Sequence, residues 1–138
     1  MRARWHTQFV VLEGSSNFHK TVGQILATDP LFRHSRCFQE VPIKDLVPDY
    51  GPDHRLDWYL ADYNVCLELH GAQHYKATSF GSSPVRKVEE DFRESQYRDN
   101  LKKTALVQAG YVFREVHYRL AKRLNPELLK AIIFSEEQ

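Results

Sequence analysis

Apolar and polar residues alternate most regularly near the middle of the chain. In Leu56-Asp57-Trp58-Tyr59-Leu60, a strand would put Leu56, Trp58 and Leu60 on one face and Asp57 and Tyr59 on the other. A turn over 61–64 follows, and then Val65-Cys66-Leu67-Glu68-Leu69-His70. There Val65, Leu67 and Leu69 share one face, with Cys66, Glu68 and His70 opposite. The two runs predict a hairpin that sets Asp57 against Glu68 across its strands, with Gly71 ending the second strand.

Around this hairpin the pattern predicts a short strand at Gln8-Phe9-Val10-Val11-Leu12 and a helix over about 17–27. Ser15 or Ser16 caps that helix and Thr28-Asp29-Pro30 stops it. Residues 38–43 read as a strand that Pro42 pushes toward an edge or a bulge, and 48–54 as a loop. Ser83-Pro84 starts a long helix that Gly110 terminates. On it Val85, Val88, Phe92 and Leu106 form one stripe. Asp99 lies inside that stripe and Lys102 at its border, which is costly for charges unless something there uses them. Residues 111–118 then form a strand, which after a crossover helix lies parallel to its neighbour. A helix over about 125–134 closes the chain. The order helix, three strands, helix, strand, helix predicts an α/β fold: a small mixed β-sheet flanked by helices, as one domain over 1–138 with its core at about 15–118.

Composition narrows the class. A 138-residue chain with 42% hydrophobic and 12% aromatic residues has ample material for a core. The net charge of +1 announces no polyanion partner for the whole molecule. Locally, however, basic residues gather at Arg2/Arg4, Arg33/Arg36, Arg86/Lys87, Lys102/Lys103 and Arg119/Lys122/Arg123, around an acidic middle. That arrangement suits an acidic centre that must approach phosphate. Cys37 and Cys66 make neither a CxxC pair nor a zinc-ribbon spacing, so they count as small apolar residues. No apolar run reaches membrane-spanning length and no signal-peptide pattern opens the chain, so the expectation is a soluble, cytoplasmic protein.

Asp57 and Glu68 are hard oxygen donors that favour magnesium or manganese, and the carbonyl of Leu69 adds a third oxygen. His70 and His74 are placed to act as base, acid or phosphate contact. Asp99 can orient a histidine or hold water, and Lys102 can neutralise charge building on phosphate. His70 and His74 have the spacing of a zinc pair, but they straddle Gly71 and the HExxH pattern is absent.

The run from Arg55-Leu56-Asp57-Trp58-Tyr59-Leu60 through Glu68-Leu69-His70-Gly71-Ala72-Gln73-His74-Tyr75, followed by Gln96-Tyr97-Arg98-Asp99 and Lys102, resembles the PD-(D/E)XK nuclease superfamily. Within it the chain is most similar to the branch holding very-short-patch-repair-like and phage or intron homing endonucleases. The resemblance spans about 21–118 and implies a restriction-endonuclease-like α-β-β-β-α-β core. It also implies metal binding by Asp57 and Glu68, a catalytic histidine at His74 and a supporting Asp99. Three departures are visible. His70 stands where many relatives carry an acid. Gln24 follows Gly23 where the first helix of relatives often carries a Glu, a loss that Glu40 offsets if its strand borders the site. The structural-zinc cysteines of the patch-repair enzymes have no counterpart.

The combined expectation is a Mg2+- or Mn2+-dependent DNA endonuclease of homing, mobile-element or phage type, acting as a monomer or weak homodimer with no membrane partner. Asp57, Glu68, His70, His74, Asp99 and Lys102 would carry the chemistry. Arg2, Arg4, Gln73, Arg119, Lys122 and Arg123 would touch DNA. The alternatives are a structure-selective nuclease such as a Holliday-junction resolvase, or a catalytically weakened nucleic-acid-binding subunit.

Overall fold

Helix α1, Asn17–Thr28, begins where the hydroxyl of Ser16 accepts a hydrogen bond from the amide of His19 at 3.1 Å. Its buried residues Val22, Ile25 and Leu26 recur at helical spacing, so one stripe of the helix faces the sheet. Gly23 sets the approach: a Cβ there would lie 3.1 Å from the indole of Trp58. Beyond the helix Asp29 is buried, accepting from the amide of Leu31 at 3.0 Å and pairing with Lys130 at 3.0 Å.

The computed structural model describes residues 5–71 and 85–136. It is a mixed α/β fold built on one open five-stranded sheet in the order β1-β2-β3-β4-β5. The strands are β1 His6–Thr7, β2 Cys37–Pro42, β3 Arg55–Leu60, β4 Val65–His70 and β5 Val112–His117. The first four run antiparallel in sequence, and β5 lies parallel to β4. Parallel neighbours need a crossover, which α3, Val85–Gln108, provides. Gly110, at φ +97, reverses the chain into β5. A four-residue helix α2, Ile43–Leu46, and a 3-10 turn, Tyr118–Arg123, complete the connections. In α4, Pro126–Ile133, Asn125 caps the first turn and Pro126 occupies its start. None of the helices is long and apolar enough to cross a membrane among the described residues.

The core has two parts. Val22, Leu26 and Phe32 pack with Trp58, Leu60, Val65, Leu67, Val116 and, from α4, Leu129 and Ile133. Leu106 of α3 packs with Phe38, Leu56, Cys66 and Phe113 on the other side. Cys37 and Cys66 are free and buried, and burial pushes the Cys37 thiol up to about 12.

Some expectations need correction. The strand at residues 8–12 is absent; β1 is only His6–Thr7. Side-chain amides hold the segment instead. Gln8 donates to the carbonyls of Phe32 and Ser35, and Gln39 donates to those of Thr7 and Val10. Phe9, Val10 and Val11 are left exposed. Leu56 does not share a core with Trp58 and Leu60 but joins the Phe38 side, because the alternation breaks at Asp57. Pro42 simply ends β2, past the reach of β1, and the irregular residue of that strand is Glu40 at φ 53. The Ser83-Pro84 start of α3 and the side chains of Val85, Val88 and Phe92 lie outside the described residues.

Candidate active site

The β3–β4 ladder is regular through Leu60↔Val65, Tyr59↔Cys66 and Trp58↔Leu67. Continued by one step, it would pair Asp57 with Glu68 through the backbone. Side chains take over there. The amide of Asp57 donates to Glu68 Oε2 at 2.9 Å, and the amide of Leu69 donates to Asp57 Oδ2 at 2.8 Å. Each carboxylate thus satisfies a backbone donor of the opposite strand, and the predicted juxtaposition of Asp57 and Glu68 is found.

From α3, the ammonium of Lys102 reaches Glu68 Oε1 at 3.1 Å and the carbonyl of Arg55 at 2.8 Å. Both Lys102 and Glu68 are largely buried, so this is an ion pair out of bulk water. Burial raises the Asp57 carboxyl well above its ordinary range, the charges of Glu68 and Glu40 add to the rise, and the Leu69 amide and Lys102 oppose it. A proton or a cation beside the Asp57 carboxylate is therefore favoured.

His70 sits beside them with both ring nitrogens facing acids. Nε2 lies 2.7 Å from Glu115 Oε2, and Nδ1 lies 3.5 Å from Asp99 Oδ2. Burial alone would lower its pKa, but the hydrogen bonds and charges of Asp99 and Glu115 outweigh burial and bring it up to about 9. At neutral pH His70 is therefore an imidazolium with no lone pair to accept a proton. The parallel register carries Glu115 opposite Glu68 and His117 opposite His70, and the two imidazoles stack at 6.0 Å. The helical periodicity that singled out Asp99 and Lys102 is explained: one meets His70 and the other Glu68.

Two residues reach the same place from elsewhere. Glu40 of β2 and His19 of α1 present donor atoms that lie, with one of Asp57, all within 4.8 Å of one another. The strand of Glu40 borders the site. The first-helix residue that faces the site is His19, not Gln24. Gln24 is exposed and lines, together with His19, Phe9 and Val10, a cavity of about 340 Å³. Sequence patterning does not single out His54 either. Its Nδ1 lies 2.6 Å from the hydroxyl of Tyr50, and burial together with the charges of Lys102 and Arg98 lowers its pKa.

Arg119, Lys122 and Arg123 are exposed in the 3-10 turn that directly follows His117, at the end of β5 next to the site. Arg2, Arg4, Gln73 and His74 lie outside the described residues. Comparisons of the chain with protein-family models, with curated proteins and with solved structures return no match.

Proposed function

We propose that the protein is a metal-dependent DNA endonuclease built on a PD-(D/E)XK-type core. The observation that carries this reading is the linked set Asp57, Glu68 and Lys102, placed where the hairpin ladder gives way to side chains. The order α1-β2-β3-β4-α3-β5, with three antiparallel strands and a parallel fourth, is consistent with that core.

The donor set fits a hard divalent cation. The buried Glu68 and the half-buried Asp57 stand together, Asp57 Oδ2 is engaged by an amide while Oδ1 makes no hydrogen bond among the described residues, and the Leu69 carbonyl follows Glu68 in sequence. Asp57, Glu68 and the Leu69 carbonyl would hold Mg2+ or Mn2+. When bound, the ion supplies Lewis-acid polarisation of the phosphate. Lys102 orients Glu68 and brings a positive charge to the phosphate side. His70, fixed by Asp99 and Glu115, adds a second positive charge and donates rather than accepts protons. That leaves the base or acid role to His74, as the resemblance implies. Arg119, Lys122 and Arg123 grip the DNA backbone beside the site.

The homing, mobile-element or phage setting, and a monomeric or weakly dimeric state, rest on the resemblance and on there being one such constellation among the described residues. Conversion of supercoiled plasmid in Mg2+ by the wild type, and not by Asp57→Asn, tests the proposal.

A further inference from the structure

The 340 Å³ cavity lined by α1 and residues 8–12 takes no part in the chemistry assigned above. Its lining is mostly apolar, with Val10 and Leu12 from the N-terminal segment, Gly23 and Ala27 from α1, and Trp58 from β3. Buried amides fix the segment in place. Gln8 Nε2 donates to the carbonyls of Leu26, Phe32 and Ser35, and Gln39 Nε2 to those of Thr7 and Val10. Hydrogen bonds thus hold these residues, while Phe9 and Val11, which also line the cavity, stay 60% and 76% exposed. A cavity with a fixed apolar wall and adjoining exposed apolar groups has the character of a ligand site.

Polar groups in the lining narrow the ligand. The carboxamide of Gln24 and the ammonium of Lys20, on exposed positions of α1, make no hydrogen bond or ion pair among the described residues. The indole Nε1 of Trp58 is buried without an acceptor among the described residues, next to the Cζ2 edge that faces Gly23. A carboxamide offers a donor and an acceptor side by side, which matches the edge of a nucleobase. The ammonium suits a phosphate. His19 gives the cavity its place: it lines the wall, and one of its ring nitrogens lies within 4.8 Å of a carboxylate oxygen of Asp57. One imidazole therefore separates the cavity from the acidic site.

We propose that this cavity binds the base of an unpaired nucleotide whose neighbouring phosphate lies at the Asp57–Glu68 site. The substrate is then DNA with a nucleotide out of the stack rather than uninterrupted duplex. A paired base is stacked on both faces and its polar edge is taken, so it cannot enter a closed wall. Extrusion costs least where the nucleotide is already mismatched, bulged or single-stranded. Negative supercoiling favours unpaired segments, so a supercoiled plasmid still serves as substrate. Capture of the base stands on the cavity, whereas the placing of its phosphate rests on the nuclease reading.

Fluorescence anisotropy of the full chain in Ca2+ tests it with three duplexes of one sequence. The first is fully paired, the second carries one extra unpaired adenine, and the third carries an abasic residue in its place. The wild type should bind the adenine bulge about tenfold or more tighter than either of the others, as capture of one base implies. The abasic duplex separates recognition of the base from recognition of the bend that a bulge makes. Gln24→Trp, at an exposed position of α1, should block the cavity and bring the adenine bulge down to the level of paired DNA, whose affinity stays unchanged. Equal affinity for the adenine and abasic bulges, or a preference that Gln24→Trp leaves intact, would overturn the proposal. Self-association that Gln24→Trp abolishes, with no preference for the base, would overturn it in favour of a second copy of the chain. Plasmid nicking in Mg2+ is scored separately. A protein that selects the unpaired base and nicks nothing retains the cavity and loses the nuclease reading. One that nicks plasmid and binds all three duplexes equally does the reverse.

Discussion

Lys102 and Glu68 stand 34 residues apart in sequence and form a 3.1 Å ion pair that joins α3 to the hairpin beneath it. Neither charge is well solvated, so each depends on the other. Lys102→Ala should destabilise the protein by about 3 kcal/mol in chelator, the cost of leaving a buried carboxylate unpaired. Added Mg2+ should recover part of that loss by replacing the missing charge. Urea unfolding with and without the ion measures both effects. An equally stable Lys102→Ala protein would mean that Glu68 is solvated and the pair carries nothing.

His70 should titrate far above an ordinary histidine. Its pKa is brought up from near 6.5 to about 9 by Asp99 and Glu115, against burial. A raised folded pKa gives stability that is complete below the unfolded value and is lost as pH rises through the folded one. Its contribution should therefore fade between about pH 6.5 and pH 9. Nitrogen-15 NMR of the imidazole should show both nitrogens protonated at neutral pH. A neutral ring at pH 7.5 contradicts the assignment.

His70 and His74 should differ in kind. His70→Ala should slow single-turnover cleavage by about 10–100-fold, as loss of a group that positions others does. Asp99→Asn should have a smaller effect in the same direction, because it weakens the hold on one side of a ring that Glu115 still pairs at 2.7 Å. His74→Ala should cost more. A harmless His74 change beside an inactive His70 variant would exchange the roles.

The grip on the DNA backbone should reveal itself through salt. Replacing Arg119, Lys122 and Arg123 together should lower the slope of log affinity against log salt by up to about 3, roughly one for each phosphate no longer neutralised. Ca2+ should support binding without cutting. An unchanged slope in filter-binding titrations would remove the 3-10 turn from the interface.

The sequence made the hairpin legible because a period of two is strong in both of its runs, and it carried Asp57 and Glu68 with it. Helical periodicity likewise exposed Asp99 as a charge inside an apolar stripe and Lys102 as one at its border. What it hid were features created by side chains bonding to backbone. The break at Asp57 sends Leu56 to the other side of the sheet, a shift that simple alternation does not register. Residues 8–12 carry the composition of a strand, but the amides of Gln8 and Gln39 occupy the carbonyls around them. His19 reads as one more buried position of an amphipathic helix, and Glu115 as an ordinary acid on a strand. Their partners, Gln39 and His70, are 20 and 45 residues away.

The plasmid assay addresses the central claim most directly. With Mg2+ or Mn2+, the wild type should convert supercoiled DNA first to open circles, with linear product appearing later as enzyme concentration rises. Asp57→Asn and Glu68→Gln should each cut more than about 100-fold more slowly, beyond the usual effect of a group behind the ligands, while still binding DNA. Cleavage by either variant at the wild-type rate, or a folded wild type that leaves the plasmid supercoiled in both ions, would contradict the account.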